Sequence, residues 1–368
     1  MEFSLSPELR ALEAEARLVG SEAAREREVV EDSWLIGSDR AFSEEMARRG
    51  WLGMTWPVEH GGGGRTALER FVVVDALIST GAPIAASWFA DRQIGPTLLQ
   101  FGTADQRERW LPGIVDGTQM WSIGMSEPDA GSDVSAIRTR AIRDGGQWRI
   151  NGQKIWTSGA SEADWIYLVA RSDVDAPAHK GLSEFVVAMD TPGIEVLPIK
   201  DMTGNRHFCE IYFNDVQVPA SHLVGGLNQS FGQVMRQMEH ERGGIDRLVS
   251  NRSLYETAAD EFRSRGANDP VLRQRFARAE TMYLICRNMV LREVVGQAPR
   301  GWSSMTKTLA TEFEVEVADL CGAIAGAGAM LSNRVSRNIS YAPGYTIMGG
   351  TTQILRNIIG ERVLGLPR

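Results

Sequence analysis

The order in which helical and strand-like segments follow each other is the feature that most restricts how this chain folds. Residues 1–118 carry Ala, Glu, Arg and Leu at helical spacing, residues 119–222 carry strand-like runs, and residues 223–368 are helical again. Because helices and strands do not alternate, the pattern favours a helical body with an inserted antiparallel sheet over a doubly wound sheet. We therefore predict an α+β fold with an N-terminal helical domain (1–118), a middle antiparallel β-domain (119–222) and a C-terminal helical domain (223–368).

Composition narrows the class of protein further. The 368 residues include 39 Lys and Arg against 47 Asp and Glu, a net charge of −8, which argues against a nucleic-acid or anionic-membrane partner. No apolar run reaches the ~20 residues that a membrane span requires, and no signal peptide is visible. We expect a soluble cytoplasmic protein without a metal site. Three widely separated cysteines suggest buried thiols rather than disulfides or a zinc site: Cys209, Cys286 and Cys321.

Turn signals divide the predicted β-domain into strands. Asn151-Gly152 lies between two β-prone runs, which predicts a two-residue hairpin at that point. Asp144-Gly145-Gly146 predicts another turn, and residues 163–170 and 182–189 are further strand candidates.

Two segments of this domain are suited to hold a flat, electron-rich group. Residues 123–133 form a predicted strand that runs into a Gly/Ser loop, whose N–H groups and hydroxyls can bind a carbonyl or a phosphate. Residues 151–158 end a strand with Trp156 beside two hydroxyls, which suits packing on a planar heterocycle. Each segment alone is equally compatible with an ordinary turn and a core tryptophan, but the pair in this order favours a binding site.

A carboxylate falls on the apolar face of a predicted helix over residues 231–248. Glu241 lies within that face, whereas Glu239 is turned about 200° away. A buried carboxylate needs either a partner, such as Arg242 or Arg236, or an environment that raises its pKa towards that of a working base. Both readings stay open from these residues alone. The apolar face consists of Phe231, Val234, Met238, Ile245 and Leu248.

Taken together, the motifs resemble the acyl-CoA dehydrogenase family over nearly the whole chain. Besides the two segments above, the resemblance rests on Pro57-Val-Glu-His-Gly-Gly, on Phe213-Asn-Asp-Val-Gln-Val-Pro219 and on the C-terminal run 349–360. It implies an N-terminal helical domain, a middle β-domain and a C-terminal four-helix bundle. It also implies FAD as cofactor, the removal of two hydrogens across the Cα–Cβ bond of an acyl-CoA substrate, and an electron-transfer flavoprotein as acceptor.

The resemblance assigns roles to individual residues of this chain. Met125 and Ser126 are expected at the pyrimidine edge of the flavin, and Gly131 and Ser132 beside the flavin and the pantetheine arm of the substrate. Two further pairs complete the expected cofactor site: Trp156 and Ser158 would flank the isoalloxazine ring and its N5, and Thr351 and Gln353 would meet the ADP portion.

The chain departs from the family pattern at the catalytic base. Most members carry a glutamate directly before the Gly-Thr of the C-terminal motif, and Gly349 stands there in this chain. A smaller group places the glutamate on the first C-terminal helix, directly before an arginine, where this chain has Glu241 and Arg242. The resemblance therefore implies Glu241 as the base that takes the α-proton, and Arg242 as a group that orients the base, the substrate or FAD.

A second departure concerns the half of the FAD site that a neighbouring subunit donates. The family's Arg-x-x-Phe-Gly motif is absent from residues 255–270, and Asp319 replaces a phosphate-facing glutamine, which introduces repulsion. This resembles actinobacterial α2β2 heterotetramers that act on CoA thioesters of steroid side chains. We predict the base-bearing subunit of such a pair. Alternatives are a homotetramer, a non-catalytic subunit of a heteromeric dehydrogenase, or a flavin-dependent oxidase or monooxygenase of the same fold.

Overall fold

A computed structural model describes residues 5–27, 31–235 and 244–367 of the chain. These residues divide into two compact units, which we call the helical unit and the sheet unit. The helical unit comprises Met1–Gly37, Thr66–Pro83 and Glu239–Arg368, and the sheet unit comprises Ser38–Arg65 and Ile84–Met238. The domain boundaries at residues 118 and 222 stay predictions.

Capping residues set where the helices of the helical unit begin. The Ser6 hydroxyl accepts a hydrogen bond from the Leu9 amide at 3.3 Å, and Pro7 is the first helical residue, as is favourable at a helix start. Thr66 and Glu69 form a reciprocal capping box ahead of the second helix of the unit. The helices are α1 (Pro7–Arg25), α3 (Ala67–Thr80), α8 (Asp246–Val249), α9 (Arg252–Ser264), α10 (Pro270–Val294), α11 (Trp302–Ala325), α12 (Arg334–Tyr341) and α13 (Thr352–Ile358).

Aromatic contacts join α9, α10 and α11 in the core of the helical unit. Tyr283 packs edge-on against Phe313 at 4.7 Å and against Tyr255 at 5.1 Å between ring centroids. Each such contact stabilises the fold by roughly 0.5–1.5 kcal/mol beyond the contribution of the apolar area that it buries.

Within the described ranges no single helix is long and apolar enough to cross a membrane. Trp302–Met330 and Arg334–Thr346 meet the length and composition criteria only jointly, across a 119° bend.

The sheet unit surrounds one eight-stranded sheet. Its order is β6-β7-β3-β2-β4-β5-β8, with β1 beside β4, and most neighbours are antiparallel. The β1–β4 pair is parallel, so the sheet is mixed rather than purely antiparallel, and the predicted α+β class is confirmed. The strands are β1 (Trp121–Gly124), β2 (Arg140–Asp144), β3 (Gln147–Ser158), β4 (Trp165–Arg171), β5 (Leu182–Ala188), β6 (Ile194–Ile199), β7 (Phe208–Pro219) and β8 (Leu223–Val224). The helices are α2 (Arg40–Arg48), α4 (Ala85–Phe89), α5 (Gly95–Phe101), α6 (Ala104–Val115) and α7, described over residues 230–235.

The predicted hairpin at Asn151-Gly152 is wrong. Strand β3 continues through these two residues, and the turn lies at Gly145-Gly146, where Asp144 pairs with Gln147. The register against β7 shifts between Ile150 and Gly152, where Asn151 alone lies opposite Asn214 and Asp215, so the bulge is on β7. A Cβ added at Gly152 would lie 2.6 Å from the Cα of Thr139, so the close approach of a neighbouring backbone explains this glycine.

The helix predicted over residues 231–248 is described only at its two ends. Residues 230–235 form α7, residues 236–243 lie outside the described residues, and α8 follows from Asp246. Val234, Ile245 and Leu248 are buried, as the predicted apolar face requires. The position of Glu241 on that face stays a prediction.

Candidate active site

The loop after β1 is a compact turn that leaves its small residues accessible. Glu127 and Ala130 exchange backbone hydrogen bonds of 2.9 and 3.1 Å, which close the turn. Met125 and Ser126 are partly buried, whereas Gly131 and Ser132 are exposed. A Cβ added at Gly131 would meet nothing within 4 Å, so this part of the loop has open space beside it.

Trp156 occupies a backbone conformation that large side chains rarely adopt. Its φ is 61°, and it lies in a bulge where the register of β3 against β7 shifts between Lys154 and Thr157. The indole is 56% exposed although it packs edge-on against Phe208 at 5.8 Å. A large aromatic side chain held exposed by a strained backbone is a typical sign of a ligand contact.

The two predicted flavin segments lie side by side in the sheet unit. The Ile155 amide donates to the Ser126 carbonyl at 3.0 Å, and the Lys154 ammonium donates to the Met125 carbonyl at 2.9 Å. The structure therefore places residues 154–155 of β3 against Met125 and Ser126, and the roles of Met125, Ser126 and Trp156 at a flavin stay predictions. Lys154 was missed, although the alternation of β3 places this charge on the buried side of the strand.

Two hydroxyl-bearing residues follow Trp156 at the end of β3. Ser158 is partly buried at the end of β3. The Thr157 Oγ1 atom is buried without a hydrogen-bond partner in the described part of the chain. The exposed Trp156 indole suits packing on a planar heterocycle, so it fits the flavin that the motifs imply.

The remaining predicted cofactor contacts lie in the helical unit. Thr351 caps α13, since its hydroxyl accepts from the Ile354 amide at 3.2 Å, and Gln353 is exposed on the first turn. The buried Lys307 ammonium donates to the carbonyl of Gly350, directly before Thr351, at 2.9 Å. This contact fixes the loop that leads into the helix.

Gly349 adopts a left-handed conformation, with φ at 66°. A glutamate at this position would be strained, because residues with a Cβ disfavour positive φ. The backbone is therefore adapted to glycine where most family members carry the base. Glu241 and Arg242, the other predicted catalytic and substrate-binding residues, lie outside the described residues.

The segment that lacks the family's arginine motif is an ordinary part of the helical core. Phe262 stacks on Phe276 at 5.0 Å, and Arg263 pairs with Asp260 at 2.6 Å. A second ion pair, Arg275–Asp319, joins α10 to α11 at 2.7 Å. Asp319 therefore does not stand as an unbalanced charge on this surface.

Buried acids that sequence reasoning missed lie within the helical unit. Asp32 is inaccessible, and burial raises its pKa to about 7, opposed by the Tyr341 hydroxyl and the Arg247 charge. Burial and the neighbouring Asp32 raise the pKa of Glu314 well above its ordinary value, although its Oε1 accepts from the Ser250 amide at 2.8 Å. Across the described ranges, no group of three or more His, Cys, Asp or Glu is arranged to hold a metal ion.

Comparison with protein families gives a match along almost the entire chain. The N-terminal domain of acyl-CoA dehydrogenases matches residues 6–118, the middle domain matches residues 122–216, and the C-terminal domain matches residues 228–364. Acyl-CoA dehydrogenase IpdE1 of Mycobacterium tuberculosis is 35% identical over 339 residues, which cover 89% of this chain and 88% of that protein.

Solved structures of acyl-CoA dehydrogenases are also similar to this chain over its full length. The Tcur3481-Tcur3483 steroid ACAD superposes with a TM-score of 0.91 at 30% identity, covering 100% of both chains. The ChsE4-ChsE5 complex from Mycobacterium tuberculosis superposes with a TM-score of 0.88 at 29% identity, again covering 100% of both chains.

Proposed function

The chain belongs to the acyl-CoA dehydrogenase family, and we propose that it oxidises an acyl-CoA thioester to the trans-2-enoyl-CoA with FAD as its cofactor. The observation that carries this proposal is the exposed Trp156 ring, held at a positive φ beside the Met125–Ser126 segment. A structural tryptophan in a sheet would be buried and would adopt ordinary strand geometry.

Residues of the sheet unit are proposed to hold the flavin and the thioester arm. Met125 and Ser126 would bind the pyrimidine edge, and Trp156 and Ser158 would flank the ring system. When bound, FAD supplies the acceptor for the hydride that leaves the substrate Cβ. Gly131 and Ser132 would lie against the flavin and the pantetheine arm, which the open space at Gly131 supports.

Residues of the helical unit are proposed to hold the ADP portion of the cofactor. Thr351 caps α13 and Gln353 is exposed beside it, so both are available near the positive end of the helix. Lys307 would keep this segment in place through its hydrogen bond to Gly350.

Glu241 is proposed as the base that removes the α-proton, with Arg242 orienting the base or the substrate. The support is the predicted apolar face around Glu241 and the adaptation of Gly349 to a backbone that disfavours glutamate. Because the α-proton of a thioester is weakly acidic, a base must act together with hydrogen bonds to the thioester oxygen. A glycine at position 349 also leaves room for a branched or ring-bearing acyl group, as in a steroid side chain.

We further propose that the chain assembles as α2β2 with a second acyl-CoA dehydrogenase-like chain and passes electrons to an electron-transfer flavoprotein. The similar Tcur3481-Tcur3483 and ChsE4-ChsE5 structures, each named for two proteins, support a heteromer. The absence of the family's Arg-x-x-Phe-Gly motif from residues 255–270 also supports a heteromer. Leu284 and Ile285 on α10 are 63% and 44% exposed, which suits a helix face covered by another subunit.

The proposed base is tested by Glu241→Gln in the assembled, flavin-loaded enzyme. We expect flavin reduction by an acyl-CoA to slow by at least a hundredfold, which is within the usual contribution of a general base. Glu239→Gln is the matched control, since it removes the same charge two residues away on the opposite face of the predicted helix. Equal rates in Glu241→Gln and the parent would exclude Glu241 as the base.

The cofactor and the partner are tested by the visible absorption spectrum of the purified chain. The chain is expressed alone and together with a second acyl-CoA dehydrogenase-like chain. Flavin bands only in the co-expressed sample support a shared FAD site. Full occupancy by flavin in the chain purified alone would contradict the proposed partner but not the proposed dehydrogenase activity. The absence of flavin from both samples would contradict the proposed function.

A further inference from the structure

A buried ion pair connects the two proposed flavin segments to each other. The Lys154 ammonium is 2.8 Å from Oε1 of Glu127, and the two side chains are 0% and 7% exposed. The Glu127 carboxylate also accepts from the Arg138 amide at 2.7 Å and from the Thr139 amide at 2.8 Å. These bonds offset the cost of removing two charges from water, which an ion pair alone does not repay.

Both members of the pair keep their charge near neutral pH. Burial lowers the pKa of Lys154 to about 8, while the Glu127 charge works to raise it. Burial works to raise the pKa of Glu127, but the Lys154 charge and the bonds from Lys154, Thr139 and Arg138 together hold this pKa below its ordinary value. Removal of either partner alone would therefore leave a buried charge without its counter-charge.

The pair joins the two segments next to the residues that are proposed to contact the flavin. Glu127 follows Ser126 directly, and Lys154 precedes Trp156 by two residues. Lys154 also donates to the Met125 carbonyl, and the adjacent Ile155 amide donates to the Ser126 carbonyl. The bulge that gives Trp156 its positive φ begins at Lys154, where the register against β7 shifts. A strained conformation of this kind persists only when its surroundings fix it.

We propose that the buried Lys154–Glu127 pair is the positioning element of the flavin site, which fixes the spacing between the Met125–Ser126 loop and the Trp156 ring. This inference rests on the proposed flavin-dependent function. Neither side chain is a catalytic residue, because both are buried and act through the neighbouring residues of the segments. The pair sets where the carbonyls of Met125 and Ser126 and the indole of Trp156 lie before the cofactor binds.

The test is the double variant Lys154→Met/Glu127→Gln in the flavin-loaded, co-expressed enzyme. It removes both charges and keeps similar side-chain volumes, so no unpaired charge stays buried. We expect a normal circular dichroism spectrum, at least tenfold weaker flavin binding, and a shifted visible band and midpoint potential of the flavin that remains. In the flavin-free protein, the Ile155 amide should exchange with deuterium faster than in the parent.

The matched control is Arg40→Met/Asp164→Asn, which removes an ion pair of the same unit, 2.8 Å long, that touches neither segment. It should change neither the flavin spectrum nor the Ile155 exchange. An unchanged spectrum, potential and exchange rate in the Lys154→Met/Glu127→Gln variant would overturn the inference and leave the flavin function intact. Absence of flavin from the parent enzyme would overturn both. If the double variant does not fold, Glu127→Asp, which keeps the charge and both carboxylate oxygens on a side chain one methylene group shorter, is judged by the same outcomes.

Discussion

Arg275 on α10 reaches Asp319 on α11 with 2.7 Å between Nη2 and Oδ2. Asp319 stands where many family members carry a glutamine that faces the cofactor phosphate, so an isolated charge there would repel FAD. The ion pair balances that charge within the chain, although Asp319 is 79% exposed and such surface pairs are weak.

Asp319→Gln should increase the flavin content of the chain purified alone. The substitution removes a negative charge and frees Arg275 from its ion pair. The electrostatic potential near position 319 therefore becomes more positive, which favours binding of a pyrophosphate. The ratio of absorbance near 450 nm to that at 280 nm measures the flavin content. Glu316→Gln is the control, because Glu316 pairs with Arg278 between the same two helices at 3.1 Å. An equal increase in both variants would point to net charge rather than to position 319.

Trp156→Gly should weaken flavin binding by at least tenfold, or about 1.4 kcal/mol, without destabilising the protein. Glycine adopts a φ of 61° without strain, and the indole that it removes is more than half exposed. Thermal unfolding of the flavin-free protein should therefore give a free energy within about 1 kcal/mol of the parent. Ala267→Gly, which relieves a φ of 49° in the helical unit, should leave flavin binding unchanged. A large loss of stability in Trp156→Gly would assign the indole a structural role.

Asp32→Asn should alter how stability depends on pH. The folded protein raises the pKa of Asp32 from 3.8 to about 7, so it keeps a proton that the unfolded chain releases near pH 4. The free energy of unfolding therefore falls as pH rises from about 4 to about 7, and is flat above this window as far as Asp32 is concerned. Asparagine cannot ionise and tolerates the φ of 64° at this position.

The difference in the free energy of unfolding between Asp32→Asn and the parent should grow as pH rises from about 4 to about 7. Its upper limit is about 4 kcal/mol, at about 1.4 kcal/mol for each pKa unit. Urea unfolding at a series of pH values measures it. Parallel curves for the two proteins would show that Asp32 keeps the same protonation in the folded and unfolded states.

Gly152→Ala should destabilise the protein by about 1–3 kcal/mol, the usual cost of overpacking. The new Cβ would lie 2.6 Å from the Thr139 backbone, and the φ of 150° is unfavourable for alanine. Gly146→Ala is the control, because a Cβ there meets nothing within 4 Å. Chemical denaturation of both variants measures the difference. Equal stability of the two would mean that the backbone around residue 152 moves away from Thr139 at little cost.

The sequence by itself determined the order of helices and strands, the α+β class and the residues of the flavin motifs. These follow from local signals, since helical periodicity, turn residues and short motifs are properties of neighbouring positions. The strands predicted near residues 163–170 and 182–189 agree with the structure for the same reason. Local signals failed at Asn151-Gly152, where the pairing of β3 with β7 and the approach of Thr139 outweigh the turn preference.

Only the tertiary structure decided which distant groups share one environment. Nothing in the sequence indicates that Lys154 pairs with Glu127, that Arg275 balances Asp319, or that Asp32 lies buried near Glu314. Such pairs depend on the packing of elements far apart in the chain, and the pKa of a buried group depends on the solvent and charges that this packing leaves around it. The residues proposed for the flavin site are therefore visible in local sequence motifs, whereas the contacts that hold those segments in place form only on folding.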